Sequence, residues 1–182
     1  MEAELFARRA SGLEWLLFDV DGVLTDGHLV YTRFGEEVKI FHVRDGLALK
    51  LAQRAGLRVG ILSGRKSRPL EVRVAELGLD LLICGSRDKR ADFAAFLEQH
   101  GTSAGRVAYM GDDLPDLPVL GLCGLAFAPA DAALEVRGVV HRVLPQLGGQ
   151  GVVREMIEQI LKARGDWHRL VAEYSLEAPS PA

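Results

Sequence analysis

The sequence predicts an α/β fold: a doubly wound, Rossmann-like parallel sheet with a small β-hairpin inserted after the first strand. Three observations carry this prediction. The apolar run Trp15-Leu16-Leu17-Phe18 has no polar face, as expected of a strand buried on both sides. Similar runs alternate with helical patterns along the chain, the arrangement that builds parallel sheets. The runs also end in polar residues, and open α/β sheets bind ligands at the carboxyl ends of their strands.

After the first strand, HLVYT (28–32) and EEVKIFHV (36–43) read as two strands around the turn RFGEE. DGLALKLAQRAG (45–56) follows as a helix, with Asp45 as its N-cap candidate and Gly56 at its end. The strand LRVGIL (57–62) then runs into SGRKS. The next helix, SRPLEVRVAELG (67–78), has Ser67 to cap it, Pro69 in its first turn and Gly78 to stop it. DLLICG is a strand, DKRADFAAFLEQHG a helix, and RVAYMG a strand that ends at DDLPDLP. GLAFA and VVHRVL read as further strands around a short helix near DAALEVRG, before a helix at VVREMIEQILKAR. GGQG (148–151) has no Lys-Ser/Thr continuation, so it reads as a tight turn rather than a phosphate loop. The pattern places residues 1–182 in a single domain, with the hairpin at about 26–43 and a flexible tail at about 168–182.

Composition narrows the classes of function. At 182 residues and 48% hydrophobic, the chain can bury a substantial core without staples. Lys and Arg total 22 against 25 Asp and Glu, a balance that gives no support for a nucleic-acid surface. The two cysteines, Cys84 and Cys123, lack metal-site spacing and read as reduced thiols. No apolar run approaches the roughly 20 residues of a membrane span, and MEAELFARRASG lacks the apolar core of a signal peptide. A cytoplasmic protein without membrane or nucleic-acid partners is expected.

Asp19 and Asp21 end the first strand one residue apart. Like charges held that close are costly unless a cation offsets them, so the pair suggests a divalent metal. Three more strand ends supply Ser63, Gly64 and Arg65, then Asp88 and Lys89, then Asp112, Asp113 and Asp116. In a parallel sheet these converge on one edge. Carboxylate ligands suit Mg²⁺, which commonly works beside phosphate groups. A hydroxyl and fixed positive charge beside such a metal fit phosphoryl transfer, which needs in-line positioning and charge neutralisation.

DVDGV, LSGR, the isolated Lys89 and GDDLPD occur in the order that marks the haloacid dehalogenase superfamily of phosphatases, and the chain resembles that superfamily over most of its length. The resemblance implies that Asp19 is the nucleophile and Asp21 the general acid, then base. It implies Mg²⁺ held by the Asp19 carboxylate, the Asp21 carbonyl and the Asp112 carboxylate. Ser63 and Lys89 would hold the phosphoryl group, with Asp113 and Asp116 orienting Lys89 and metal-bound waters. Only about 40 residues separate the first two motifs, so the insert can be no more than the hairpin, and the chain looks like a capless member.

From about Leu13 to Trp167, DGVLTDGHLVY, FHVRDGLALKLAQRAG, GRKSRPLEVRVAELG, GDDLPDLPVL and GGQGVVREMIEQIL look like the 3-deoxy-D-manno-octulosonate 8-phosphate phosphatases. In that family the positions of His42, Val43, Arg44, Asp45, Gly46, Lys50, Arg65, Arg73 and Lys89 contact substrate, and Asp21 and Gly64 join them at the phosphoryl end. The cations suit a substrate bearing both phosphate and carboxylate. Two positions depart from the family's pattern. His42 stands where asparagine is common and Lys50 where arginine can occur; these bear on substrate identity rather than on chemistry. The alternatives are a phosphatase for a nine-carbon deoxy-nononate 9-phosphate and, in another class, a receiver-like signalling module. Receivers carry their phosphorylated aspartate on a later strand, whereas here the D-x-D ends the first.

A two-stranded hairpin is marginal alone, and open edges invite pairing. Leu29, Val30, Tyr31, Ile40, Phe41 and Val43 give this hairpin apolar residues on both faces. The resembled family assembles its hairpins into a barrel within a tetramer. The resemblance therefore implies a homotetramer in which a neighbouring subunit helps close the pocket over a small sugar phosphate.

Overall fold

The computed structural model describes residues 2–176. Its centre is β1 (Trp15–Phe18), a strand whose four side chains are all buried. β4 (Arg58–Ser63) and β6 (Val107–Met110) flank it in parallel, with Phe18 opposite Ile61 on one side and Met110 on the other. β5 (Leu81–Cys84) extends the sheet beyond β4, and β7 (Leu125–Ala128) and β8 (Arg142–Val143) extend it beyond β6. The order is β5-β4-β1-β6-β7-β8, and every pairing is parallel.

The two faces of β1 show why its sequence is a continuous apolar run. Leu16 and Phe18 join one core, with Ile61, Met110 and Phe127. α1 (Ala3–Ser11), α2 (Val43–Arg54), α3 (Arg68–Leu77) and α7 (Val152–Arg164) close that side through Phe6, Leu49, Leu70 and Ile157. Trp15 and Leu17 face the other core, with Tyr109 and Ala126. There α4 (Lys89–His100), α5 (Leu117–Leu120) and α6 (Leu134–Val139) contribute Phe93, Phe96, Val119 and Val136.

Local signals place most helix ends. Ser67 accepts from the Leu70 amide at the start of α3, and Gly78 adopts the left-handed conformation that ends it. Asp88 caps α4 by accepting from the Arg90 and Ala91 amides. The expected cap at Asp45 is corrected: α2 starts at Val43, and His42 caps it by accepting from the Arg44 amide. Asp45, 1% exposed, instead turns its carboxylate to the Arg154 amide in the first turn of α7, which lacks a cap of its own. A long-range contact thus takes a residue that local pattern assigns to its own helix.

The hairpin is shorter than expected: β2 (Val30–Tyr31) and β3 (Glu37–Val38) pair antiparallel over two residues each, and the chain from Lys39 leads into α2. The tail expected from about 168 is corrected as well. α8 (Trp167–Leu176) continues there, anchored by the fully buried Leu170; residues 177–182 lie outside the described residues. α1 is a helix the sequence reading missed, although Phe6 and Ala10 mark a buried stripe at i, i+4. No helix among the described residues is long and apolar enough to cross a membrane.

GGQG is a turn, and it has a structural task. A Cβ at Gly148 would lie 2.0 Å from the Gly22 carbonyl oxygen, and one at Gly149 would lie 2.6 Å from the Asp26 amide. The Gly149 amide donates to the Val23 carbonyl. Two backbones therefore touch where the loop after β1 turns, and only glycine permits the approach. Gly148→Ala is expected to lower stability by about 1–3 kcal/mol, measured as a fall in the urea midpoint. Gly138→Ala in α6, where a Cβ meets nothing within 4 Å, is the matched control and should not lower it.

Candidate active site

β1, β4, β5 and β6 all end at one edge, and residues at or after those ends line a cavity of about 330 Å³: Asp19, Asp21, Ser63, Gly64, Arg65, Lys89, Asp112, Asp113 and Asp116 among them. The convergence follows from the parallel direction of the strands, which sends all their carboxyl ends to one edge of the sheet.

Lys89 organises the cavity. It is the first residue of α4, where a cation opposes the helix dipole, and it is only 6% exposed. Compensation comes from carboxylates: Nζ lies 3.0 Å from Asp19 Oδ1 and 2.6 Å from Asp116 Oδ1. Burial pulls the Lys89 ammonium towards neutrality, but Asp19 and Asp116 outweigh that effect and hold its pKa above the ordinary lysine value.

Asp116 is 1% exposed and uses both oxygens. Oδ1 accepts from Lys89 and from the hydroxyl of buried Tyr109, 2.5 Å away; Oδ2 accepts from the Asp112 and Asp113 amides. It thereby sets the lysine and the loop that carries Asp112. Asp113 also lines the cavity, but its carboxylate caps the turn at 114–116 by accepting from the Leu114 amide. Tyr109 escaped the sequence reading because a strand tyrosine looks like core; its one signal was a phenol that needs a partner when buried.

Carboxylate oxygens of Asp19, Asp112 and Asp116 lie within 4.8 Å of one another. Asp112 Oδ1 is buried without a hydrogen-bond partner. Burial, then the charge on Asp116, pushes the Asp19 carboxyl up to about 7 despite Lys89. Burial and the charges on Asp19, Asp116 and Asp113 push Asp112 up to about 8. A cluster this crowded, with an orphaned oxygen, fits a hard divalent cation between Asp19 and Asp112. Asp116 fits the ligand role least, because its oxygens are already engaged. Gly22 makes room for Asp112: a Cβ there would lie 2.0 Å from Asp112 Oδ2.

The sugar-binding candidates do not all gather at this cavity. Asp21, Ser63, Gly64, Arg65 and Lys89 line it. Val43 and Arg73 line a neighbouring groove of about 910 Å³ between the hairpin and α3. His42 and Arg44 line a third cavity of about 510 Å³ against α7. Gly46 packs beneath the Arg73 guanidinium, where a Cβ would lie 2.3 Å from Nη2, and Asp45 caps α7. Lys50 donates to the Leu77 carbonyl at the end of α3, 2.8 Å away. Lys39 and Glu37, which no motif marks, do reach the site: the Lys39 ammonium pairs with Asp21 Oδ1, and Glu37 pairs with Arg65.

No protein-family model matches the chain. Curated relatives do. The 3-deoxy-D-manno-octulosonate 8-phosphate phosphatase KdsC of Haemophilus influenzae is 44% identical over 158 residues, 87% of this chain and 88% of that protein. Its Escherichia coli K12 namesake is 39% identical over 165 residues, 91% of this chain and 87% of that protein. Among solved structures, the Moraxella catarrhalis 3-deoxy-D-manno-octulosonate 8-phosphate phosphatase, crystallised with a magnesium ion, a phosphate ion and a KDO molecule, superposes with a TM-score of 0.92. It is 33% identical, and the match covers 96% of this chain and 99% of that one.

The raised carboxyls predict how metal and pH act together. A carboxyl whose pKa is raised on folding holds its proton more tightly folded than unfolded. The contribution of Asp19 and Asp112 to metal-free stability should therefore fall as pH rises from about 4 towards about 8, the window between the ordinary value and theirs. A cation that replaces those protons should stabilise more at pH 8.5 than at pH 5.5. Thermal unfolding with excess Mg²⁺ and with excess chelator at both pH values measures this, and Asp112→Asn should shrink the metal-dependent shift at pH 8.5.

Proposed function

We infer that this chain, which belongs to the 3-deoxy-D-manno-octulosonate 8-phosphate phosphatase family of the haloacid dehalogenase superfamily, hydrolyses that sugar-acid phosphate to the free acid and inorganic phosphate with Mg²⁺. The observation that carries the reading is the placement of Asp19: it ends the central strand, 3.0 Å from Lys89, in a cluster that includes the orphaned Asp112 carboxylate.

Asp19 is the group placed to attack phosphorus. As its oxygen forms the new P–O bond, the bond to the sugar oxygen breaks and Asp21 gives that oxygen a proton. Asp21 then takes a proton from the water that attacks the aspartyl-phosphate, releasing phosphate and restoring Asp19. The Asp19 and Asp112 carboxylates and the Asp21 carbonyl would hold Mg²⁺, which when bound offsets repulsion between Asp19 and the anionic substrate. Ser63, 2% exposed at the end of β4, and Lys89 face the phosphoryl position. Asp116 and Tyr109 act through Lys89 rather than on the substrate.

Recognition of the sugar acid belongs, in this reading, to a homotetramer. Two features support it. The residues that would contact the sugar are spread over three cavities of one chain, so few of them line the Asp19 cavity itself. The hairpin also exposes Val30 at 46%, Phe34 at 74% and Ile40 at 75%, apolar surface whose burial is worth roughly 25 cal/mol per Å². Phe41 takes a different part from the one the sequence suggested. It packs against the chain's own core with the Arg73 guanidinium over its ring, so Ile40 carries the exposed face. The reading places the enzyme in the cytoplasm, in keeping with the free cysteines Cys84 and Cys123.

Phosphate release from sugar-acid phosphates tests the function. Turnover should require Mg²⁺ and favour 3-deoxy-D-manno-octulosonate 8-phosphate over the nine-carbon deoxy-nononate 9-phosphate. Asp19→Asn should abolish activity, and Asp21→Asn should lower it by about 10²-fold or more while metal binding survives; full activity of either variant would refute the covalent mechanism. For assembly, Val30→Asp combined with Ile40→Asp should dissociate the oligomer in sedimentation and reduce sugar-phosphate turnover more than aryl-phosphate turnover. A fully active wild-type monomer would rule the shared site out.

A further inference from the structure

The approach to α2 inverts the usual hydrophobic order. Ile40 is 75% exposed, while the Lys39 side chain beside it is 2% exposed. A lysine can nearly always extend to water, and burying its ammonium costs several kcal/mol unless it is well paired. Lys39 is paired twice. Its Nζ contacts Asp21 Oδ1 and lies 3.4 Å from Glu37 Oε1. Glu37 in turn pairs with Arg65 Nη2 at 3.1 Å and accepts from the hydroxyl of Ser67, the cap of α3. Arg65 Nε lies 3.8 Å from the second Asp21 oxygen. Both oxygens of Asp21 therefore face a cation, and one carboxylate, Glu37, ties those two cations together and to α3.

Burial pushes the Glu37 carboxyl up, but Ser67, Lys39 and Arg65 hold it below the usual glutamate value, so it stays charged within this group. Asp21 needs such a frame. It lies in the turns that follow β1 and is held there by no strand pairing, and its side chain has two free torsions. Proton transfer to a leaving oxygen requires hydrogen-bond reach, and a misplacement of about 1 Å can cost about 10²-fold.

We propose that Lys39, held by Glu37, is a positioning residue that orients the Asp21 carboxyl towards the leaving-group oxygen. The proposal rests on the phosphatase reading above and assigns Lys39 no contact with phosphorus or substrate. Lys89 sets the nucleophile Asp19, and Lys39 sets the proton-transfer group two residues on.

Leaving-group dependence tests it, because a poor leaving group needs the proton and a good one does not. The measurement is kcat/KM with Mg²⁺ for p-nitrophenyl phosphate and for phenyl phosphate. Lys39→Met keeps the aliphatic stem and removes the ammonium. It should depress kcat/KM for phenyl phosphate at least about tenfold more than for p-nitrophenyl phosphate, and Lys39→Arg should restore most of the difference. Glu37→Gln leaves Lys39 in place but loosens its hold, and should show the same selectivity in smaller measure; it decides the matter should Lys39→Met fail to fold. Equal loss on both esters, or no loss, would overturn the role of Lys39 while an active wild type upholds the phosphatase reading. A wild type inert towards both esters and towards the sugar-acid phosphates would overturn that reading, and the positioning role with it.

Discussion

Crowded negative charge at the end of β1 is the constraint on which the site depends. Asp19, Asp112 and Asp116 bring carboxylate oxygens within 4.8 Å of one another, an arrangement that bound protons or paired cations make tolerable. Lys89 supplies one charge from inside the chain, although at the first residue of α4 it opposes the helix dipole. The orphaned oxygen of Asp112 marks where a second charge is wanted. The metal and the substrate phosphate thus enter a field that the fold has already set up, so little reorganisation is left for the reaction itself.

Holding those charges together takes close backbone contact as well. Gly22 leaves room for Asp112, and Gly148 and Gly149 press against the loop that carries Asp21 and Gly22. The catalytic loop is clamped between β6 on one side and the GGQG turn on the other. Asp45 joins this clamp at its far end by capping α7, the helix that follows the turn. Residues far apart in sequence thereby hold the loop that carries the carboxylates.

The hairpin serves two ends with opposite faces. Outward it shows Val30, Phe34 and Ile40, apolar surface suited to other copies of the chain. Inward it places Lys39 and Glu37 against Asp21 and Arg65. A capless phosphatase has no separate domain to shelter its reaction, and here the short insert builds part of the site while leaving apolar residues exposed beside it.

The sequence by itself determined the sheet, most helix limits and which residues gather at the candidate site, because each leaves a local mark. Trp15 to Phe18 is apolar throughout since both faces are covered, and Ser67, Gly78 and Asp88 punctuate helices through their own torsions and hydrogen bonds. Asp19, Ser63, Lys89 and Asp112 are legible because the carboxyl ends of parallel strands all lie at one edge of the sheet. What lacks a local mark was left to the tertiary structure. Asp45 has every property of an N-cap for its own helix, yet caps α7 because packing brings the uncapped Arg154 amide to it. Tyr109 resembles any strand aromatic until Asp116 meets its hydroxyl, and Lys39 resembles any surface lysine until the hairpin folds it onto Asp21. Periodicity and capping are written into neighbouring residues, whereas the partner of a buried polar group is chosen by whichever distant segment the fold sets beside it.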